Sequence, residues 1–368
     1  VEFRIAETPV FVPQAVTQQM LDTCESIVDL ITDPAFKAKT EQAIPPALRV
    51  ANENTHPHFI AFDFGICLNA DGVPEPQLIE LQGFPTLFTF QVLLADRYRE
   101  YFAVPGSFSP YLNGYTKESY LALFKEMLLA GHDPGQVVLL ELFPHRQKTR
   151  IDFYSTQEAT GIQPVCLTEL IREGRKLYYI NKGVKTEIRR IYNRIIFDEL
   201  QQQDAAVQEK GRILFEDPDV EWISHPNWFY RISKYTLPFL HHPYIPETFF
   251  LSEIKQLPAD LNDYVLKPLF SFAGQGVKID ITANDLSTIK DPENWILQRK
   301  VSYAPVIQTP DEPAKAEIRI FYFWKDGWAR PVAVNNLARL SKGKMIGVDY
   351  NKNKTWVGGS ACFFEGKS

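Results

Sequence analysis

The sequence predicts an α/β protein with α+β regions. Three observations carry this. A continuous apolar run, VVLLELF at 137–143, follows a helix-patterned stretch at 115–131, as expected of a strand covered on both faces. Two β-rich pairs turn at Asp-Gly steps: 58–68 with 76–86, and the two arms of 317–334. A further β-rich run delivers Lys267-Pro268 straight into a loop of small residues.

Taken in chain order, Gln14 to Ile31 sets Val16, Met20, Ile27 and Leu30 near a 3.6-residue period, and Pro45-Pro46 ends the helical region that runs to about residue 50. HFIAFDFGICL (58–68) leads through Asn69-Ala70-Asp71-Gly72 into PQLIELQGFPT (76–86), and a helix is expected from about Leu87 to Phe102. After helix 115–131, ending at Gly131, and the 137–143 strand, a second cycle runs through IDFYST, TGIQPVCL, ELIREG and KLYYI; a third begins at EIRRIYNRIIF. Apolar strands alternating with short helices predict a mainly parallel sheet. The polar stretch 201–210 reads as a solvated helix or loop. From Ser224, short helices precede the Lys267 strand, ILQRKV (296–301), a hairpin turning at Lys325-Asp326-Gly327, and TWVGGSACFF (355–364). Three parts are expected, at 1–114, 115–223 and 224–368.

At 368 residues the chain can bury two or three cores, and 45% apolar with 23% charged content is ordinary for a soluble protein. A net charge of −6 argues against nucleic-acid and membrane-surface partners, which attract basic faces. Cys24, Cys67, Cys166 and Cys362 are scattered, which predicts reduced buried thiols. The opening residues lack a basic segment before an apolar core, and no apolar run approaches a membrane span, so the chain reads as cytoplasmic.

Chemistry concentrates in two places. Backbone N–H groups of Ser271, Phe272, Ala273, Gly274, Gln275 and Gly276 can wrap phosphate oxygens, and Lys267 adds a point charge. Asp63 and Glu80 both fall inside apolar strands, where a buried carboxylate needs a partner or a metal. Asp63-Phe64-Gly65 has no accompanying kinase motifs. His241-His242 reads as a loop pair, and aromatic residues at 228–235 as core or cleft wall. Arg189, Arg190 and Arg194 read as a solvated face, with a substrate-carboxylate contact as the alternative.

The order of Lys, small-residue loop, I-L-Q-x-x-V strand, E-I-R, A-R-L and G-G-S resembles the ATP-grasp ligases, above all the glutathione synthetase branch. In that family two metal-binding strands come after the G-G. Here FDFGICLNADGVPEPQLIELQGFPT resembles them, with Asp63 on one and Glu80-Leu81-Gln82 on the next. This order is similar to the circularly permuted ATP-grasp enzymes of the glutathionylspermidine synthase family, over residues 58–86 and 225–362 and more weakly between.

The resemblance implies a permuted ATP-grasp fold with a Rossmann-like pre-ATP-grasp domain, ATP and Mg²⁺ as cofactors, and amide formation through an acyl phosphate. Lys234 (in SKY) and Lys267 would neutralise phosphates, and backbone groups from Gln298 through Arg299 and Lys300 to Val301 would bind adenine. Asp63, Glu80, Gln82 and Glu317 would hold magnesium, and Arg339 and Arg319 the reacting acyl phosphate. The partners implied are a small-molecule or peptide carboxylate and an amine, with a homodimer allowed. Gln82 replaces the family's Asn, Ala61 an arginine, and Lys354 an asparagine, Asn353 standing one place off. The chain has no room for an amidase half, so glutathionylspermidine is not the expected product. A degenerate protein that keeps nucleotide binding alone is the alternative.

Overall fold

The computed structural model describes residues 1–270, 276–344, 346 and 351–366. The phosphate-loop residues Ser271, Phe272, Ala273, Gly274 and Gln275 lie outside the described residues.

At the centre is an antiparallel five-stranded sheet. Its order is Gly358–Ser360, Val332–Ser341, Lys315–Phe323, Phe59–Leu68, Pro74–Gln82. Two hairpins far apart in sequence are therefore joined through their inner strands. Period-2 alternation explains why those strands are buried on both faces. Ile60, Phe62, Ile318 and Ile320 pack in one core with Met20 and Ile27 of helix Gln14–Thr32. Phe59, Ala61, Phe321 and Phe323 pack on the other face with Phe88, Tyr120 and Phe124. The expected helices over 87–102 and 115–131 appear as Phe88–Tyr101 and Lys117–Leu129, the latter capped by Thr116, whose hydroxyl accepts from the Ser119 N–H.

The middle of the chain holds a four-stranded parallel sheet, ordered Glu221–Ile223, Arg190–Asn193, Val137–Glu141, Gln163–Cys166. The second cycle folds otherwise than its alternation suggests. IDFYST lies within helix Arg150–Thr160, while Ile171–Glu173, Lys176–Asn181 and Val184–Ile188 form a separate antiparallel sheet. Gly174 and Gly183 take positive φ at its turns, which closes each link to a hairpin and leaves no crossover helix.

Lys267 sits on a fourth sheet, ordered Thr248–Phe250, Trp295–Arg299, Tyr264–Pro268. The two ends of the chain also meet: Val10–Val12 pairs in parallel with Cys362–Glu365, and the Gly359 N–H donates to the Arg4 carbonyl at 2.8 Å. All four cysteines are buried and free. Among the described residues no helix is long and apolar enough to cross a membrane. The whole is a mixed α+β architecture.

Candidate functional site

The central sheet changes character along its length. The face that carries Phe59 and Ala61 on one strand, and Phe323 and Phe321 on its neighbour, continues as Asp63 on the first and as Arg319 and Glu317 on the second. Arg319 stands directly opposite Asp63 and donates from Nε to Oδ1 and from Nη2 to Oδ2, both at 2.6 Å. Asp63 is fully buried. Across the outer pairs, Glu80 is opposite Asp63 and Arg339 opposite Glu317. Arg339 Nη2 donates to Asp63 Oδ2 at 3.3 Å and to Glu317 Oε1. The Tyr303 hydroxyl donates to Glu317 Oε2 at 2.9 Å, a contact that no sequence pattern signalled.

Two lysines approach from other elements. Lys234 Nζ lies 3.6 Å from Glu80 Oε2. Lys267 is buried and donates to the Ile79 carbonyl at 3.2 Å and to Gln298 Oε1 at 2.5 Å. Gly83 permits this assembly: its N–H donates to the Ile232 carbonyl, and a Cβ there would come within 2.3 Å of the Trp228 carbonyl oxygen. The strand end bearing Glu80 and Gln82 is thus pressed against the segment that supplies Lys234. Gly276, the one described member of the small-residue loop, has φ +73° and turns back over Pro268.

The electrostatics stem from this crowding. Burial opposes ionisation of Glu80, yet Lys234, Lys267, Arg319 and Arg339 outweigh it and pull its pKa down to about 2. Burial pushes Glu317 up, and Asp63 and Glu80 add to the push against Arg339. Burial lowers Lys267 to about 8 even with Glu80 beside it.

The segment expected to bind adenine, Gln298 to Val301, runs through and past the end of the central strand of the Lys267 sheet. Gln298 uses its side chain to hold Lys267, and both its strand neighbours are already paired. The N–H groups of Arg299 and Lys300 donate to the carbonyls of Glu247 and Asp263; Val301 lies past the strand end. The Lys300 side chain pairs with Asp280.

Asp63, Glu80, Gln82 and Glu317 do converge, but as arranged they do not fit a magnesium ion. Every carboxylate oxygen of the three acids already faces a protein donor. The Gln82 amide nitrogen donates to Glu80 Oε1 at 2.8 Å and reaches Asp63 Oδ2 at 3.5 Å. Among the described residues no three His, Cys, Asp or Glu side chains are grouped so as to hold a metal.

The arginine cluster divides. Arg189 is exposed and pairs with Glu187. Arg190 is buried and donates to the carbonyls of Met127 and Leu128, satisfying the C-terminal end of helix Lys117–Leu129. Arg194 leaves the C-terminal end of a parallel strand, where ligands of open α/β sheets bind. It lies over the Phe84 ring at 4.4 Å, donates from Nη1 to the Pro85 carbonyl at 2.7 Å, and its buried Nε has no partner among the described residues. Together with Glu80, Gln82, Lys234, Phe229 and Phe270 it lines a cavity of ≈ 180 Å³. At the end of the neighbouring strand stands Glu141, buried and pushed up to about 8 by burial against the pull of its own neighbour's N–H (Leu142) and of Arg194.

No family model and no curated protein matches the chain. Among solved structures it is similar to a glutathione synthetase-like effector (GSS30) from Globodera pallida in its apo form, with a TM-score of 0.61 and 10% identity over 99% of this chain and 90% of that one. The fold is glutathione synthetase-like. At that identity the likeness speaks to the fold alone, and what the site does must be argued from its own residues.

Proposed function

We propose that this protein is an ATP-dependent carboxylate–amine ligase, a permuted ATP-grasp enzyme divided at 1–114, 115–223 and 224–368 that works on small molecules or peptides in the cytoplasm. One observation carries the reading: Lys234, Lys267, Arg319 and Arg339 converge from four separate segments around Glu80, and Glu80 and Lys234 line a cavity together with Arg194. The converging cations suit a polyphosphate, and the Arg194 guanidinium, near the Phe84 and Tyr192 rings, suits a substrate carboxylate.

In the reaction, a substrate carboxylate oxygen attacks the γ-phosphorus of ATP. The P–O bond to the β-phosphate breaks, ADP leaves, and an acyl phosphate forms. The amine nitrogen then attacks the acyl carbon, the C–O bond breaks, and phosphate departs while the nitrogen loses a proton to solvent or base. This chain's part is electrostatic: Lys267 and Lys234 face the negative charge on the nucleotide, and Arg339, the more exposed of the two site arginines, turns toward the acyl phosphate. Arg319, locked on Asp63, positions the strand and does not reach outward.

The test is ADP release in the presence of ATP, magnesium and a panel of amino acids, small peptides and polyamines, with the product examined by mass spectrometry. Substrate-dependent ADP with a new amide supports ligation. A second reading, nucleotide binding without ligation, is favoured by Ala61 and by the donor-saturated carboxylates. Tight ADP binding with no substrate-dependent turnover would select it.

A further inference from the structure

The acidic half of the site is occupied by the protein's own cations and amide. Asp63 Oδ1 takes Arg319 Nε, and Oδ2 takes Arg319 Nη2, Arg339 Nη2 and, more distantly, the Gln82 amide. Glu80 Oε1 accepts from Gln82, and Oε2 faces Lys234. Glu317 is held by Arg339 and Tyr303. A dication brought to these oxygens would come beside two guanidinium groups that already sit on them, and like charges at such range repel strongly where water is scarce. Gln82 is the residue that makes the difference. Its amide nitrogen stands between two carboxylates on adjacent strands; turning the amide over would point its oxygen at both of them, so the orientation with NH₂ inward is fixed by chemistry.

Resting on the nucleotide reading above, we infer that this site binds nucleotide phosphates on Lys234, Lys267 and Arg339 without a divalent cation, the Gln82 amide taking the position between Asp63 and Glu80 that a metal would otherwise need. The charge balance agrees. Four basic side chains (Lys234, Lys267, Arg319, Arg339) face three acids, so the pocket keeps positive charge of its own for a polyanion. Asn in place of Gln82 would draw the amide back by about one C–C bond, ~1.5 Å, and uncover the acid pair.

The experiment is calorimetric titration of the full chain with ADP, once with excess magnesium chloride and once with EDTA, for the wild type and Gln82→Asn. The expected wild-type result is a dissociation constant that changes by less than about threefold between the two buffers. For Gln82→Asn, binding should become at least about tenfold tighter with magnesium than with EDTA. Wild-type binding that weakens about tenfold or more in EDTA overturns the inference and leaves the nucleotide reading intact. A magnesium-indifferent Gln82→Asn overturns the role given to Gln82. Absence of ADP binding in both buffers removes the nucleotide reading and this inference with it.

Discussion

Arg319 and Asp63, 256 residues apart in sequence, face each other on adjacent strands and share two parallel hydrogen bonds of 2.6 Å inside the protein. Breaking such a pair on one side leaves a charge buried without its partner, whereas replacing both sides removes the need for either. Asp63→Ala is expected to cost about 3–5 kcal/mol in denaturant unfolding. The double variant Asp63→Leu/Arg319→Met should recover most of that loss. If the double variant is no more stable than the single one, the pair does not act as an isolated buried couple.

Lys267 should make nucleotide binding sensitive to pH. Its pKa stands near 8, so it carries charge below that value and loses it above. Phosphate binding favours the charged form, and ADP affinity should therefore fall as pH rises through about 8. Lys267→Ala should bind at least about tenfold more weakly and lack that inflection. An affinity flat across this range in the wild type would remove Lys267 from the phosphate contacts.

Arg194→Ala should raise the KM for the carboxylate substrate by about tenfold to a hundredfold, because a charge-assisted bond is lost. The kcat should change far less, as expected of a contact made equally before and during reaction. Arg194→Lys keeps the charge but not the planar fork and should be intermediate. Steady-state kinetics with the acid identified by the ligation screen decide this.

Glu141 makes the stability of the fold depend on pH between about 4.5 and 8. Its carboxyl is held near 8 in the folded protein against an ordinary 4.5, so the folded form retains a proton that the unfolded chain has released. Stability from this group is intact below pH 4.5, falls as pH rises toward 8, and is constant above. The slope is about 1.4 kcal/mol per pH unit in that window. Glu141→Gln should be free of it, so the stability difference between variant and wild type widens from pH 5 to pH 8. Parallel curves would place Glu141 in an ionised setting.

Gly83→Ala should disturb both stability and the site. The added methyl meets a backbone oxygen at 2.3 Å, which cannot turn aside as a flexible side chain would. A loss of roughly 1–3 kcal/mol is expected, with weaker ADP binding because Glu80 and Lys234 move apart. Stability loss with unchanged ADP affinity would separate Gly83 from the site.

Much of this site is legible in the sequence. Asp63 and Glu80 stand out as acids inside apolar runs joined by an Asp-Gly turn, and the strand order brings Arg319, Arg339 and Glu317 to them. What places the two hairpins side by side is family resemblance and not periodicity, since alternation names a buried face but not the neighbouring strand. Glu141 escapes notice, and Arg194 reads first as part of a solvated face, because a charged residue at the end of an apolar strand looks the same whether it faces water or a cavity. Both close parallel strands at their carboxyl ends, and that position is the signal that singles them out. The hairpins over 171–188 pass for part of the α/β alternation because their short apolar stretches resemble parallel strands in composition. Sequence also does not show which N–H groups of the hinge strand are already taken, as those of Arg299 and Lys300 are.

The pairing of strand Phe59–Leu68 with Lys315–Phe323 also sets a schedule for biosynthesis. Strand Phe59–Leu68 leaves the ribosome with its inner edge unpaired and both faces apolar, and must wait while about 250 further residues are made. Closing so long a loop late is slow, and an open edge of this kind invites pairing with other chains. Release of the C-terminal hairpin is the event that ends its exposure.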